Sequence, residues 1–367
     1  MKARERVLAA IERRTLDRLP VNYLGTPEVD RRLRRHFGIE PPAGSRPGDV
    51  VDDDWDILDH LGADLRTLRL PYAGPEIPVY DDGRVESYWG YIRRPVPTDN
   101  GVYMESCYLP WAEFQTLADV ERYRWPDPAW FDYAALARQC RLAGEYAIVY
   151  GSPGNLDMIN GTAFARGFER TLLDIASGDE VGLACMEKRF EFAHEQSRRA
   201  LEACGGRVDI LWIGDDFGTQ RGLLVSPAAW RRVFRPKLKA MADLAHRYGA
   251  RLMLHSCGSS RAIWRDLVEI GVDLYDTVQP EAAGMVPEEL AREFPSICLH
   301  GTISSQSTLP FRSAAEVAGT VRRRVEFFLP RGGLILAPSH NMQADTPLEN
   351  ILAMYAAAGS LAGAVPA

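Results

Sequence analysis

The sequence predicts an α/β fold: a single (β/α)8 TIM barrel over residues 1–367, with a small antiparallel β insertion near residues 71–109. Two observations carry this expectation. About eight short apolar runs are each followed by a helical pattern or an insertion, which demands a parallel sheet with helices outside it. Eight such units suit a barrel. The turn after the first run reads Leu24-Gly25-Thr26-Pro27 and lacks the Gly-x-Gly-x-x-Gly fingerprint of a dinucleotide-binding sheet.

Taken in order, residues 2–13 have helical spacing, with Val7, Leu8 and Ile11 on one side. Pro20–Tyr23 reads as the first strand, Pro27–Phe37 as a helix and Pro41 to Gly48 as a loop. A helix over Val51–Leu61 stops at Gly62, and Asp64–Leu70 is the second strand. Turn signals at Asp81-Asp82-Gly83 and Asn100-Gly101 separate the alternating runs Val85–Ile92 and Val102–Cys107, which is hairpin chemistry. From Leu117 the rhythm is strand and helix. Predicted strands are Tyr146–Gly151, Val208–Gly214, Arg251–Ser256, Asp273–Val278, Ser296–Gly301 and Gly333–Ala337. Predicted helices are Asp132–Glu145, Ala163–Ile175, a long one capped by Asp179 and running to Ala203, and one from Ser226-Pro227 to Tyr248. Arg261–Ile270, Pro287–Phe294 and Ala314–Leu329 follow. Thr346-Pro347-Leu348-Glu349 has capping-box spacing and opens the last helix.

The chain is 46% hydrophobic, ample for a large core, and its net charge of −7 offers no basic footprint for nucleic acid. The arginine clusters at 31–35 and 322–324 read as solvated helix faces. Six scattered cysteines (Cys107, Cys140, Cys185, Cys204, Cys257 and Cys298) do not form a disulfide framework. The start, Met1 to Arg6, is charged and lacks a secretion signal's apolar run, and no apolar run is long enough to span a membrane. A soluble cytoplasmic protein is expected.

Chemistry in a barrel sits at the C-terminal ends of the strands. Those ends here carry Asn22-Tyr23, Gly151-Ser152, Asp215-Asp216, His255-Ser256-Cys257, Thr277 to Gln279, His300-Gly301-Thr302 and Ser339-His340-Asn341. Together they describe a polar mouth, with Asn22, Tyr23, Ser152, Gln279, His300 and Asn341 as candidate substrate-binding residues. His255 and Cys257, two apart on a strand, point to one face, and an imidazole and a thiolate on one face make half a zinc site. His340 is the expected third ligand. His300 or the Asp215-Asp216 pair takes its place if the loop after Ala337 does not fold inward. Asp215 and Asp216, the candidate catalytic acids, are adjacent, so only one can face the mouth. Cys298 lies deeper in its strand and reads as core. His194 and His246 fall within helical patterns.

These residues resemble the uroporphyrinogen decarboxylase superfamily, whose members are (β/α)8 barrels. The likeness spans most of the chain. It is strongest at His255-Ser256-Cys257-Gly258, Pro280 to Pro287, His300-Gly301 and the run from Pro338 to Ile351. The superfamily's metal-free decarboxylases carry an Arg-Gln-Ala-Gly-Arg motif after the first strand, whose arginines clamp the acidic arms of a tetrapyrrole. This chain has Asn22-Tyr23-Leu24-Gly25-Thr26-Pro27 there. Its zinc-dependent, corrinoid-linked methyltransferases carry His-x-Cys and a distant Pro-Gly-Cys-Gly segment. His255 and Cys257 match the first, and Pro338-Ser339-His340-Asn341 stands at the second, with histidine for cysteine. The resemblance implies methyl transfer between a small-molecule donor or thiol acceptor and a corrinoid (cobalamin) on a partner protein, with Zn2+ as cofactor. A homodimer is compatible with it. The alternative it leaves is decarboxylation of uroporphyrinogen or a related acid, with Asp215 or Asp216 as the acid group.

Overall fold

The structure, a computed structural model, describes residues 1–40, 55–98 and 101–361. The loop expected from Pro41 to Gly48, residues 51–54 of the helix expected at Val51–Leu61, and Asn100 lie outside the described residues. Strands β1 (Leu65–Leu68), β2 (Val85–Glu86), β3 (Ile92–Thr98), β4 (Gly101–Tyr108), β5 (Ala147–Leu156), β6 (Ile210–Gly214), β7 (Arg251–His255), β8 (Leu274–Val278), β9 (Cys298–Ile303) and β10 (Leu334–Pro338) form two sheets. A seven-stranded sheet runs in the order β1-β5-β6-β7-β8-β9-β10, and every neighbouring pair in it is parallel. The small sheet β2-β3-β4 is antiparallel, as the hairpin signals predicted. The run Val85–Ile92 is not one strand, however. Its middle turns, with the Ser87 N–H bonding the Tyr91 carbonyl.

The predicted first strand shrinks to a single parallel bridge between Val21 and Leu336. The segment is still bonded on both sides. Leu336 N–H donates to the Pro20 carbonyl, and Asp64 N–H donates to the Val21 carbonyl. Its position is fixed by the Asp64 carboxylate, which accepts from Val21 N–H at 2.9 Å, Arg6 Nη1 at 2.6 Å and Arg18 Nη1 at 2.7 Å.

The strands bury alternate residues in two different layers. Leu65, Ala147, Val149, Ile210, Trp212, Met253, Leu274, Cys298 and Ile335 pack together on one face. Ile148, Tyr150, Leu211, Ile213, Leu252, Leu254, Tyr275, Leu299 and Leu336 face the other way, into the large core shared with the helices. This alternation positions the site. One step of two along the first row leads from Met253 to His255, from Leu274 to Asp276 and from Cys298 to His300, and two such steps lead from Trp212 through Gly214 to Asp216.

Most helices lie where the spacing placed them, including Pro27–Phe37 and the 24-residue Glu180–Ala203, whose first turn is capped by Asp179. Three expectations need correcting. The helix expected over Ala163–Ile175 is two, Met158–Arg166 and Phe168–Ser177, broken at Gly167, whose φ of 95° leaves the helical region. The helix expected from Ser226 to Tyr248 divides at Phe234, because Pro236 has no N–H for a continuing ladder and its ring crowds the preceding turn. The last helix opens at Leu348 without the predicted capping box, and the buried Thr346 hydroxyl has no hydrogen-bond partner. Among the described residues, no helix is long and apolar enough to cross a membrane.

Candidate metal centre

His255 closes β7, and its ring orientation is set by a carboxylate from the neighbouring strand. Asp276 on β8 is fully buried and accepts from His255 Nδ1 at 2.6 Å. The other ring nitrogen, Nε2, is thereby left as the position that could bind an ion once it gives up its proton. It faces Cys257 Sγ at 3.5 Å and Asp216 Oδ1 at 3.7 Å. Among the described residues, the ligand atoms of Asp216, His255 and Cys257 lie within 4.8 Å of one another.

The loop carrying Cys257 is pinned from both sides. Cys257 N–H donates to Asp216 Oδ1 at 2.9 Å, and Asn160 Nδ2 holds the other Asp216 oxygen at 2.9 Å. Gly258 N–H donates to Gln279 Oε1, and Ser259 N–H donates to the Thr219 carbonyl. Gly258 has φ 75°, and a Cβ there would stand 2.6 Å from the Thr219 carbonyl oxygen, so only glycine fits this crossing.

Of the acidic pair, Asp216 alone faces the cluster. Asp215 points to the other side and accepts from the backbone N–H groups of Met158 and Ile159 at 3.1 and 3.0 Å, at the start of the helix Met158–Arg166.

Asp276 was not singled out in the sequence, yet it organises the site. Its Oδ1 accepts from His300 Nδ1 at 2.6 Å, and Oδ2 also accepts from Trp212 Nε1 at 3.1 Å. Burial alone would raise this carboxyl, but the two histidines outweigh it and hold it well below the ordinary carboxylate range. For His255, burial opposes the charge, and the carboxylate of Asp276 overcomes it, so its pKa stands well above the ordinary imidazole value. Burial pushes the Cys257 thiol up, with His255 acting against it. The available signal for Asp276 was a charged residue amid the apolar Leu274, Tyr275 and Val278, since a buried charge needs partners.

His340 lies across the opening, its ring centroid 6.3 Å from that of His255. Burial and the neighbouring His255 hold it below the usual imidazole range. It lines a small cavity of about 310 Å³ together with Cys257, Gln279 and Asn341. A larger cavity of about 1190 Å³ adjoins it and shares Asn341. Asn22, Tyr23 and Ser152 line this larger space, which does not include the Cys257 thiol. The smaller cavity is therefore the one that reaches the ligand cluster. His300 lines neither. It is wholly buried, bonded to Asp276 and, through Nε2, to Asn22 Nδ2 at 3.0 Å. The absence of arginine between Asn22 and Pro27 does not leave the larger cavity uncharged. Arg31, Arg35 and Arg189 line it from other elements.

Soft thiolate, imidazole and carboxylate together form a donor set suited to zinc. The set fits a catalytic ion better than a structural one, because three protein groups leave a side open to a cavity.

A family model described as uroporphyrinogen decarboxylase (URO-D) matches residues 151–361 of the chain. No curated protein matches it. Among solved structures, a methyltransferase from Methanosarcina mazei superposes with a TM-score of 0.66 at 18% identity, and the match covers 98% of each chain.

Proposed function

The chain belongs to the uroporphyrinogen decarboxylase family, and from that premise we propose that it is a zinc-dependent methyltransferase. It moves a methyl group between a small molecule or thiol and a corrinoid carried by a partner protein. We also take the sheet as a TIM barrel closed by Pro20–Asn22, within a single domain. The observation that carries the functional reading is the convergence of Asp216, His255 and Cys257, with His255 Nε2 facing the thiol at 3.5 Å. The solved methyltransferase of the same fold supports it.

His255, Cys257 and Asp216 hold the metal in this reading. Zinc would supply Lewis acidity, which makes a thiolate or a leaving oxygen or sulfur available at neutral pH. Asp276 fixes the His255 tautomer, and His300 fixes Asp276 from behind. Asp215 anchors the turn that presents Asn160 to Asp216. His340 meets the substrate across the small cavity. The sequence favoured His340 as third ligand. The geometry favours Asp216, whose oxygen is within reach of both His255 and Cys257.

The test is turnover with free methylcobalamin and 2-mercaptoethanol. The expected products are the methyl thioether and cob(I)alamin, with the methyl group leaving cobalt for sulfur. Binding of methylcobalamin without its consumption would leave only a corrinoid binder.

The arginines of the larger cavity favour one second reading, decarboxylation of a polyacid with Asp216 as the acid group. Incubation with uroporphyrinogen separates the two. No coproporphyrinogen is expected, because the segment Asn22–Pro27 brings no arginine to the cavity. Its formation at the pace of methyl transfer would reverse the order of the readings.

A further inference from the structure

Arg189, on the helix Glu180–Ala203, is 5% exposed and lines the larger cavity. Its guanidinium is wedged in place. It stands 4.4 Å from the centre of the Trp89 ring, and its Nε donates to the Asp157 carbonyl at 2.9 Å. A Cβ at Gly161 would fall 2.0 Å from Nη2. Buried Nη1 has no hydrogen-bond partner. Among the described residues, no carboxylate lies within ion-pair distance of Arg189, although its charge acts on the buried carboxyl of Asp157. A buried guanidinium normally spends its planar fork of donors on an anion. Here a single backbone carbonyl occupies it.

The surroundings are aromatic. Trp89 meets Phe192 edge to face with centroids 5.0 Å apart, and Tyr88 meets Phe131 in the same way at 5.6 Å. All four rings line the same cavity as Arg189. Offset and edge-to-face contacts favour a further flat ring against such a wall. The location also matters. Asp157, which holds Arg189, begins the turn whose next residues hold Asp215 through Met158 and Ile159 and Asp216 through Asn160. The turn that holds Arg189 therefore also holds Asp216, a member of the metal cluster.

We propose that Arg189 and the wall of Tyr88, Trp89, Phe131 and Phe192 bind an aromatic carboxylate, its ring on the wall and its carboxylate on the guanidinium. The larger cavity shares Asn341 with the smaller one, and this ligand, extending past it, is the small-molecule substrate of the metal centre, a role that rests on the methyltransferase reading. The anion site itself does not.

Benzoate, benzamide and inorganic phosphate are the probes, titrated calorimetrically into the zinc-loaded full chain. Benzoate should bind about tenfold or more tightly than either of the others, the ratio expected of a charge-assisted pair set in an aromatic wall. Arg189→Met should raise the benzoate Kd by about tenfold or more and leave benzamide within about twofold. Equal affinity for benzoate and benzamide, or no benzoate binding at millimolar concentration, would overturn the proposal. Phosphate matching benzoate would overturn its aromatic half. If Arg189→Met does not fold, the benzoate-to-benzamide ratio in the parent and its change in Arg189→Lys decide the matter. Zinc content, measured on the same samples, keeps the two readings apart. Loss of benzoate binding with zinc retained counts against the anion site alone, and benzoate binding in a chain that takes up no zinc counts against the methyltransferase alone.

Discussion

Replacing Cys257 with alanine should remove metal binding and methyl transfer together while the chain stays folded. The thiol lies past the end of β7, half-buried, and its backbone N–H can still bond Asp216. In the proposed centre the change deletes a direct ligand. The drop in zinc affinity should therefore exceed the roughly 10–100-fold that loss of a supporting partner costs. Stability of the metal-free chain should change by only about 1 kcal/mol, the usual scale of a single substitution. In the parent, zinc must displace protons from the Cys257 thiol and from His255, so apparent affinity should fall as pH is lowered. Zinc content by mass spectrometry and urea unfolding of the metal-free forms check these points. A Cys257→Ala chain that kept its zinc would remove the thiol from the site.

Replacing Asp276 should cost both stability and metal. The carboxylate is wholly buried and serves His255, His300 and the Trp212 indole at once. Asp276→Ala leaves two buried imidazoles without their acceptor, and removing one member of a buried pair costs about 3–5 kcal/mol. Asp276→Asn separates the two effects. The amide keeps the shape and one oxygen, but its NH2 must face one of the histidines. If it faces His255, Nδ1 becomes the acceptor and the proton moves to Nε2, the nitrogen the metal needs. Zinc affinity should then fall by roughly 10–100-fold with less loss of stability than in Asp276→Ala. The sign with pH follows from the depressed carboxyl. Its contribution is present above the unfolded value, about 3.9, and is lost as pH falls through and below it. Acid unfolding of Asp276→Asn should accordingly be shallower at the low end. Parent-like zinc affinity in Asp276→Asn would show that the His255 tautomer is set elsewhere.

Much of this arrangement was legible in the sequence because strands alternate. The period of two placed His255 and Cys257 on one face and Asp215 and Asp216 on opposite faces, and both placements agree with the contacts. The same period, applied to Leu274 and Cys298, leads to Asp276 and His300. Asp276 lies inside its strand, away from the strand end where a barrel's chemistry is expected. Backbone breaks were harder to read. The helix from Ser226 contains Pro236, whose effect depends on whether a turn can be lost without uncovering the core. The first strand is short because Asp64 and the arginines fix Val21 by side-chain bonds, which no periodicity reports. Arg189 gave no signal either. On a long helix it resembles any surface arginine until the insertion folds Trp89 over it.

The central claim is a single zinc ion held by His255, Cys257 and Asp216. Zinc analysis of the purified parent, Asp216→Ala and His340→Ala, read together with zinc-edge X-ray absorption on the parent, tests it most directly. The account predicts about one zinc per chain in the parent, bonded to one sulfur, with a large loss in Asp216→Ala and near-full occupancy in His340→Ala. Zinc lost in His340→Ala but kept in Asp216→Ala would transfer the third position to His340, and a parent without zinc would contradict the account altogether.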